Sequence, residues 1–300
     1  MMKFEIWGLT GTLATEHDGQ MEEATKRLWY WLDAVDASCN RFRDDSELSR
    51  LNDSHGATMA ISPTLELALE AALLTADVTG DMVDPTVLPA LLALGYDRDF
   101  DELAHGDSIR ELASVPSMGP SSIHLDLDEH TVTLDPPCQL DLGASAKALV
   151  ADLIADDVAP SGGVVVELGG DVAVRGEGPE GPWAISVSDA LVLHGNEPRV
   201  ALVHGGIATS STASRTWRVG ERIVNHIVDP RTGRCAQGLY TTATVSASDC
   251  VLANAFATAA LLWNEDASYH IAQAGWSARL VRRDGSVEFV GGWPEDGAAR

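Results

Sequence analysis

Residues 124–135, HLDLDEHTVTLD, alternate apolar and polar side chains on either side of a polar centre at Asp128 to His130. That is the pattern of two short strands joined by a turn. Just beyond, Asp141-Leu142-Gly143-Ala144 leaves the alternation and passes into a helix expected over Ser145 to Asp156. A hairpin followed by a helix is antiparallel construction, and the rest of the chain keeps to it. Val164-Val165-Val166 is a β-branched run ending in Gly169-Gly170-Asp171, Trp183 to Val187 and Val200 to Val203 are further strands, and Ala278 to Val290 reads as a closing hairpin turning at Asp284-Gly285. Strands and helices mix without a βαβ rhythm, which predicts an α+β fold with mixed or antiparallel sheets packed by helices.

The helices carry their own signals. Met21, Ala24, Leu28, Trp31, Leu32, Val35 and Cys39 recur at three and four residues, a stripe suited to packing on a sheet. Ser62 suits an N-cap, Pro63 the first helical position and Gly80 the stop around the apolar run Leu65 to Val78. Cys250 to Trp263 is apolar, Ala-rich and free of Gly and Pro, hence a buried helix. The opening strand, Phe4 to Trp7, is expected to continue through Thr10-Gly11-Thr12 to a polar turn at Asp18-Gly19, and Asn40 to Ser54 reads as a polar stretch between helices. Gly176 to Pro182 is a loop too short to separate domains, so residues 1–300 are expected to form one domain.

Composition narrows the function. Twenty Lys plus Arg face 45 Asp plus Glu among 300 residues, a formal charge of −25, which repels phosphate backbones and anionic lipid and argues against nucleic acid and membrane partners. At 45% hydrophobic and 22% charged, the chain has ample mass for a core. Cys39, Cys138, Cys235 and Cys250 lie far apart without a C-x-x-C spacing, and read as buried or free thiols in a reducing compartment. The N-terminus goes straight into strand-like sequence without a signal-peptide core, and no apolar run is long enough to span a bilayer, so a soluble cytoplasmic protein is expected.

Four segments place polar residues where a loop meets an element. Asp141 to Lys147 opens a helix, whose free N–H groups favour an anion that Lys147 could reach; an ordinary cap uses the same residues. His226-Ile-Val-Asp-Pro-Arg-Thr-Gly233 combines an imidazole, a carboxylate and a turn, and a His closing a loop reads alike. Thr209-Ser210-Ser211-Thr212 follows an apparent strand end at Gly206-Ile207-Ala208, where hydroxyls either hold substrate oxygens or satisfy their own backbone. Asn254 and Thr258 project from the same side of the apolar helix, where a hard cation or backbone groups would partner them. Paired HxxxH ligands and a GxSxG elbow are absent from the sequence, which removes the commonest metalloprotease and serine-hydrolase readings.

In order along the chain, these segments resemble the ApbE family of FAD:protein FMN transferases. The resemblance runs through Thr10-Gly11-Thr12, Phe42-Arg43-Asp44-Asp45-Ser46-Glu47-Leu48 with Asn52, Val83-Asp84-Pro85-Thr86, Asp141-Leu-Gly-Ala-Ser-Ala-Lys147, Leu168-Gly169-Gly170-Asp171, Ala208-Thr209-Ser210 and His226 to Gly233. It implies a single T-fold-like domain and an FAD site drawn from Thr10, Phe42, Met82, Val83, Asp84, Asp141, Lys147, Gly169, Gly170, Asp171, Thr209, His226 and Ile227. It further implies Mg²⁺ on the Ala144 carbonyl and the side chains of Asn254 and Thr258, with His226 as general base. The implied reaction moves FMN from FAD to a threonine of an acceptor flavoprotein and releases AMP; relatives that hydrolyse FAD to FMN and AMP, or a chain that binds FAD without turnover, are the alternatives. Four positions depart from the family pattern. Phe42 stands for a Tyr, Thr10 for a Met, Ser211 for the Gly of T-S-G, and Asn254 for the Asp of A-D-x-x-x-T.

Overall fold

The structure is a computed structural model describing residues 1–103, 113–188 and 197–294. It divides into two compact units, one of Met1–Trp31, Lys147–Ser214 and Gly238–Arg300, the other of Leu32–Ala146 and Arg215–Gln237. The expected α+β mixture is what it contains.

The first unit is built on one antiparallel eight-stranded sheet. Its spatial order is Met2–Ile6, Leu9–Thr15, Val164–Leu168, Asp171–Arg175, His204–Ser211, Tyr240–Ala247, Ser277–Arg282 and Val287–Val290. The opening segment is a hairpin rather than one continued strand, because Trp7 and Gly8 both take positive φ and reverse the chain before Leu9. The hydroxyl run is likewise not a loop. Thr209, Ser210 and Ser211 lie inside the His204–Ser211 strand and pair with Tyr240–Ala247, extending it past the apparent end at Ala208.

The Cys250–Trp263 helix packs on this sheet with Ala253, Ala255, Ala257, Ala259 and Ala260 fully or almost fully buried. Small side chains bring its backbone close. A Cβ at Gly206 would lie 2.4 Å from backbone atoms of Asp249 and Cys250, so glycine is required where the helix begins. Asp249 caps the helix by accepting from the Leu252 N–H, and buried Asp152 accepts from the N–H groups of Cys250 and Val251. Arg175 donates to Asp152 at 3.0 Å and to Asp156 at 2.6 Å. Burial pushes the Asp152 carboxyl up to about 6, against the helix N–H groups and Arg175, which pull it down.

The second unit carries the quoted hairpin, Ile123–Asp126 with Thr131–Leu134, joined by the short Met59–Ala60 strand into a three-stranded sheet. Pro63–Thr79 is helical, capped by Ser62, which accepts from the Leu65 N–H, and stopped by Gly80 in the left-handed conformation. The Asn40 to Ser54 stretch is not wholly irregular. Ser46 caps a helix over Glu47–Asn52 that buries Leu48, Leu51 and Asn52. A second core gathers Tyr96, Trp217, Val219, Val224 and Val228, with Phe42 packed against it. No helix among the described residues is long and apolar enough to cross a membrane.

Removing Asp152 strands a buried guanidinium and two helix N–H groups together. Asp152→Ala should lower unfolding free energy by about 3–5 kcal/mol in a denaturant titration, the range for breaking a buried pair from one side. A loss under about 1 kcal/mol, the size of an exposed ion pair, would show that Asp152 does not anchor the helix.

Candidate functional site

In the first unit, Gly169 and Gly170 both take positive φ and form a two-residue hairpin loop, the conformation that Gly-Gly adopts without strain. The turn is held by bonds from the Gly170 N–H to Glu167 and from the Thr209 N–H to the Gly170 carbonyl, and the Gly169 N–H reaches the Thr10 carbonyl at 3.3 Å. Asp171 therefore starts a strand opposite Ala208, on the face covered by the Cys250–Trp263 helix.

On that face the side chains meet. Asn254 donates its amide to Asp171 at 2.8 Å, and Thr258 shares a hydrogen bond with Ser210, also at 2.8 Å. Lys147, in the first turn of the Ala146–Val158 helix, places Nζ 4.0 Å from the other Asp171 oxygen. Period-two alternation turns Thr209 the opposite way, where it bonds its cross-strand neighbour Thr244. The first unit thus brings Lys147, Gly169, Gly170, Asp171, Asn254 and Thr258 together, with Thr209 on the reverse face and exposed Thr10 bonded to Glu5. Burial lifts the Glu167 carboxyl, while its bonds from the Gly170 N–H and Thr12 pull it down.

The oxygen chemistry here fits a hard divalent cation. Asn254 Oδ1 is buried and has no hydrogen-bond partner, and Thr258 presents a hydroxyl one turn along the same helix face. Among the described residues no cluster of three or more His, Cys, Asp or Glu side chains is placed to hold a metal, so amide, hydroxyl and carbonyl oxygens are the donors on offer.

In the second unit, Asp141 is fixed by Arg41 at 2.5 Å, with both side chains almost buried, and also accepts from the Gly143 N–H. The Arg41 guanidinium lies 4.0 Å from the Phe42 ring centre and 4.7 Å from that of Tyr96, and donates to the Tyr96 carbonyl. Tyr96 in turn packs on Trp217, whose indole N–H donates to the Leu94 carbonyl. Val83 and Asp84 are buried and Met82 is half-buried. Asp84 accepts from both the N–H and the hydroxyl of Thr86, which makes it the cap of a short turn, and the Asp141 N–H reaches the Pro85 carbonyl. Asn52 pairs both ways with the Leu140 backbone, at 2.9 and 2.7 Å. Ala144 lies in the turn that leads into the Ala146–Val158 helix.

His226 is half-buried between two pinned neighbours. Asn225 donates to the Ala236 carbonyl and accepts from the Ile227 N–H, and the Ile227 carbonyl accepts from Ala236. Both Asp229 carboxylate oxygens are taken by Arg231. Gly233, at φ +65°, leaves only 2.2 Å between a would-be Cβ and the Val115 carbonyl, so a side chain there is excluded. Sequence reading missed Arg41, Tyr96 and Trp217; the signal was the Arg-Phe pair opening the Phe42 to Leu48 motif, a cation beside an aromatic.

The fold and motif geometry find a match among known proteins. The ApbE family model matches residues 7–280, and the chain belongs to that family. It is similar to a protein named FAD:protein FMN transferase from Vibrio cholerae, 25% identical over 88% of this chain and 77% of that protein. One of the same name from Chlamydia muridarum is 30% identical over 80% and 76% respectively. Among solved structures, the apo flavinyl transferase ApbE of Pseudomonas stutzeri superposes with a TM-score of 0.82 at 20% identity, covering all of this chain and 97% of that one. The ApbE protein of Thermotoga maritima gives 0.78 at 21% identity, covering 96% of each.

Arg41 is the cation on which Asp141 depends. Arg41→Lys retains the charge but neither the planar stack nor the fixed fork. Arg41→Lys should therefore recover only part of the stability that Arg41→Ala loses, about 3–5 kcal/mol for an abandoned buried carboxylate. Full recovery by lysine, measured by chemical denaturation, would mean that charge alone matters at this position.

Proposed function

We propose that this chain transfers FMN from FAD to a hydroxyl of an acceptor flavoprotein, a threonine by the family pattern, releasing AMP. The observation that carries the reading is membership of the ApbE family across residues 7–280, in a chain whose Lys147, Gly169-Gly170-Asp171, Asn254 and Thr258 gather on one face of one sheet. In the proposed step the acceptor oxygen forms a bond to the FMN phosphorus, the bond from that phosphorus to the bridging oxygen breaks, and AMP departs with the bridging oxygen. The hydroxyl proton passes to the His226 imidazole and from there to solvent.

The chain's residues have separate tasks in this reading. Lys147 directs positive charge toward the pyrophosphate, and the Gly169-Gly170 turn lets backbone approach the substrate without a side chain intervening. Phe42, whose ring centre lies 4.0 Å from the Arg41 guanidinium, offers a ring for stacking. Met82, Val83, Asp84, Asp141, Thr10, Thr209 and Ile227 complete the proposed FAD contacts, and residues 1–300 are read as one functional domain. Asn254, Thr258 and the Ala144 carbonyl are the proposed Mg²⁺ ligands, and the ion would neutralise charge on the phosphate oxygens. Cys39, Cys138, Cys235 and Cys250 are all thiols, which is compatible with a cytoplasmic location.

Incubation of the purified chain with FAD and Mg²⁺, with and without a candidate acceptor, tests the reaction. AMP formed only with acceptor, together with an FMN-labelled threonine, is the expected result. AMP formed without acceptor means hydrolysis. FAD binding without AMP means that turnover has been lost. His226→Ala should leave FAD binding nearly intact and lower AMP release by roughly 10²–10⁴-fold. A proportional loss of binding and turnover would make His226 a substrate contact instead.

A further inference from the structure

The buried contact between Asn254 and Asp171 has a chemical direction. A carboxylate only accepts, so the amide must turn its NH₂ toward Asp171 Oδ1, 2.8 Å away, and its carbonyl oxygen is thereby aimed elsewhere. That oxygen, on a side chain 6% exposed, meets no donor. Asp171 itself is 2% exposed, and Lys147 Nζ stands 4.0 Å from its second oxygen. A buried, unpaired carbonyl backed by a buried carboxylate repels an anion and suits a hard cation.

We propose that Asp171 is a positioning residue for a divalent cation held by Asn254 and Thr258. It fixes the amide so that Oδ1 points at the ion, and it supplies from one atom layer behind the negative charge that a carboxylate at position 254 would bring directly. This rests on reading Asn254 and Thr258 as cation ligands. It also changes what Asn254→Asp should do, because the new carboxylate would face Asp171 in a buried contact.

Mn²⁺ binding to the full chain without FAD, followed by electron paramagnetic resonance, tests the arrangement, with melting temperature recorded with and without Mn²⁺. Asp171→Asn should weaken Mn²⁺ binding roughly 10–100-fold, the usual cost of losing a group that orients a ligand. Asn254→Asp should melt below wild type without metal and gain more from Mn²⁺ than wild type does. The double exchange D171N/N254D restores one carboxylate facing one amide and should bind Mn²⁺ close to wild type. Wild-type affinity in Asp171→Asn, a double exchange that binds no Mn²⁺, or a wild-type chain that binds none would each overturn the proposal. Because these readouts need no turnover, a wild type that binds Mn²⁺ and responds as described yet releases no AMP from FAD sinks the transfer reading alone.

Discussion

The absence of a side chain at Gly206 governs much of the first unit. With 2.4 Å between a would-be Cβ and the backbone at Asp249 and Cys250, the Cys250–Trp263 helix can sit on the sheet only if this strand position is bare. The close seat sets helix positions 254 and 258 against strand positions 171 and 210. Those pairs then form at hydrogen-bond distance from short side chains. Longer side chains on a more distant helix would add rotatable bonds between backbone and functional atom, and each adds entropy that a defined site must overcome. The Ala-rich composition of the helix is therefore a condition of the site as well as of the core.

Charge is arranged locally against the global balance. A chain at −25 has little cation to spare, and it buries two of its arginines against carboxylates: Arg41 on Asp141, and Arg175 on Asp152 and Asp156. These pairs place loops and helix ends, with Arg175 and Asp152 anchoring the start of the Cys250–Trp263 helix. Lys147 differs. It stands at the longer distance of 4.0 Å from Asp171 and is only partly exposed. An ammonium on a flexible four-carbon stem and a planar guanidinium with a fixed fork of donors thus serve different geometries in this chain.

Much of the fold was legible because its signals are local. The quoted hairpin, the Ser62-Pro63 start with its Gly80 stop, and the glycine- and proline-free run from Cys250 to Trp263 each announce themselves within a few residues. The misreadings had equally local causes. Positive φ at Trp7, a residue that rarely adopts it, hid the first hairpin, and the serines and threonines after Ala208 resemble a loop although Ser210 and Thr209 spend their hydroxyls on opposite faces of a strand. Asn40 to Ser54 looked polar because its helix is short and buries only Leu48, Leu51 and Asn52. Motif spacing put Asn254 and Thr258 on one helix face, but not the partner across it: Asp171 lies 83 residues away, and no periodicity reports a contact at that range.

The motifs also divide by task once their partners are known. Asp84 caps a turn, Asn52 clasps the Leu140 backbone, Ser46 starts a helix and Glu47 accepts from the Ser62 N–H, so these residues build the scaffold. At Asn254 one end of the amide is committed to Asp171 while the other is buried and unmatched. A protein interior rarely leaves an acceptor in that condition without a return, since pairing it would stabilise the fold at no cost in volume. Within the first unit, Asp171 and Glu167 flank the Gly169-Gly170 turn on opposite faces of the sheet, and Lys147 Nζ stands 4.0 Å from Asp171. The unmatched oxygen of Asn254 is the atom that the proposed cation would satisfy, and the carboxylate that fixes its direction lies across the helix–sheet contact rather than on the helix itself.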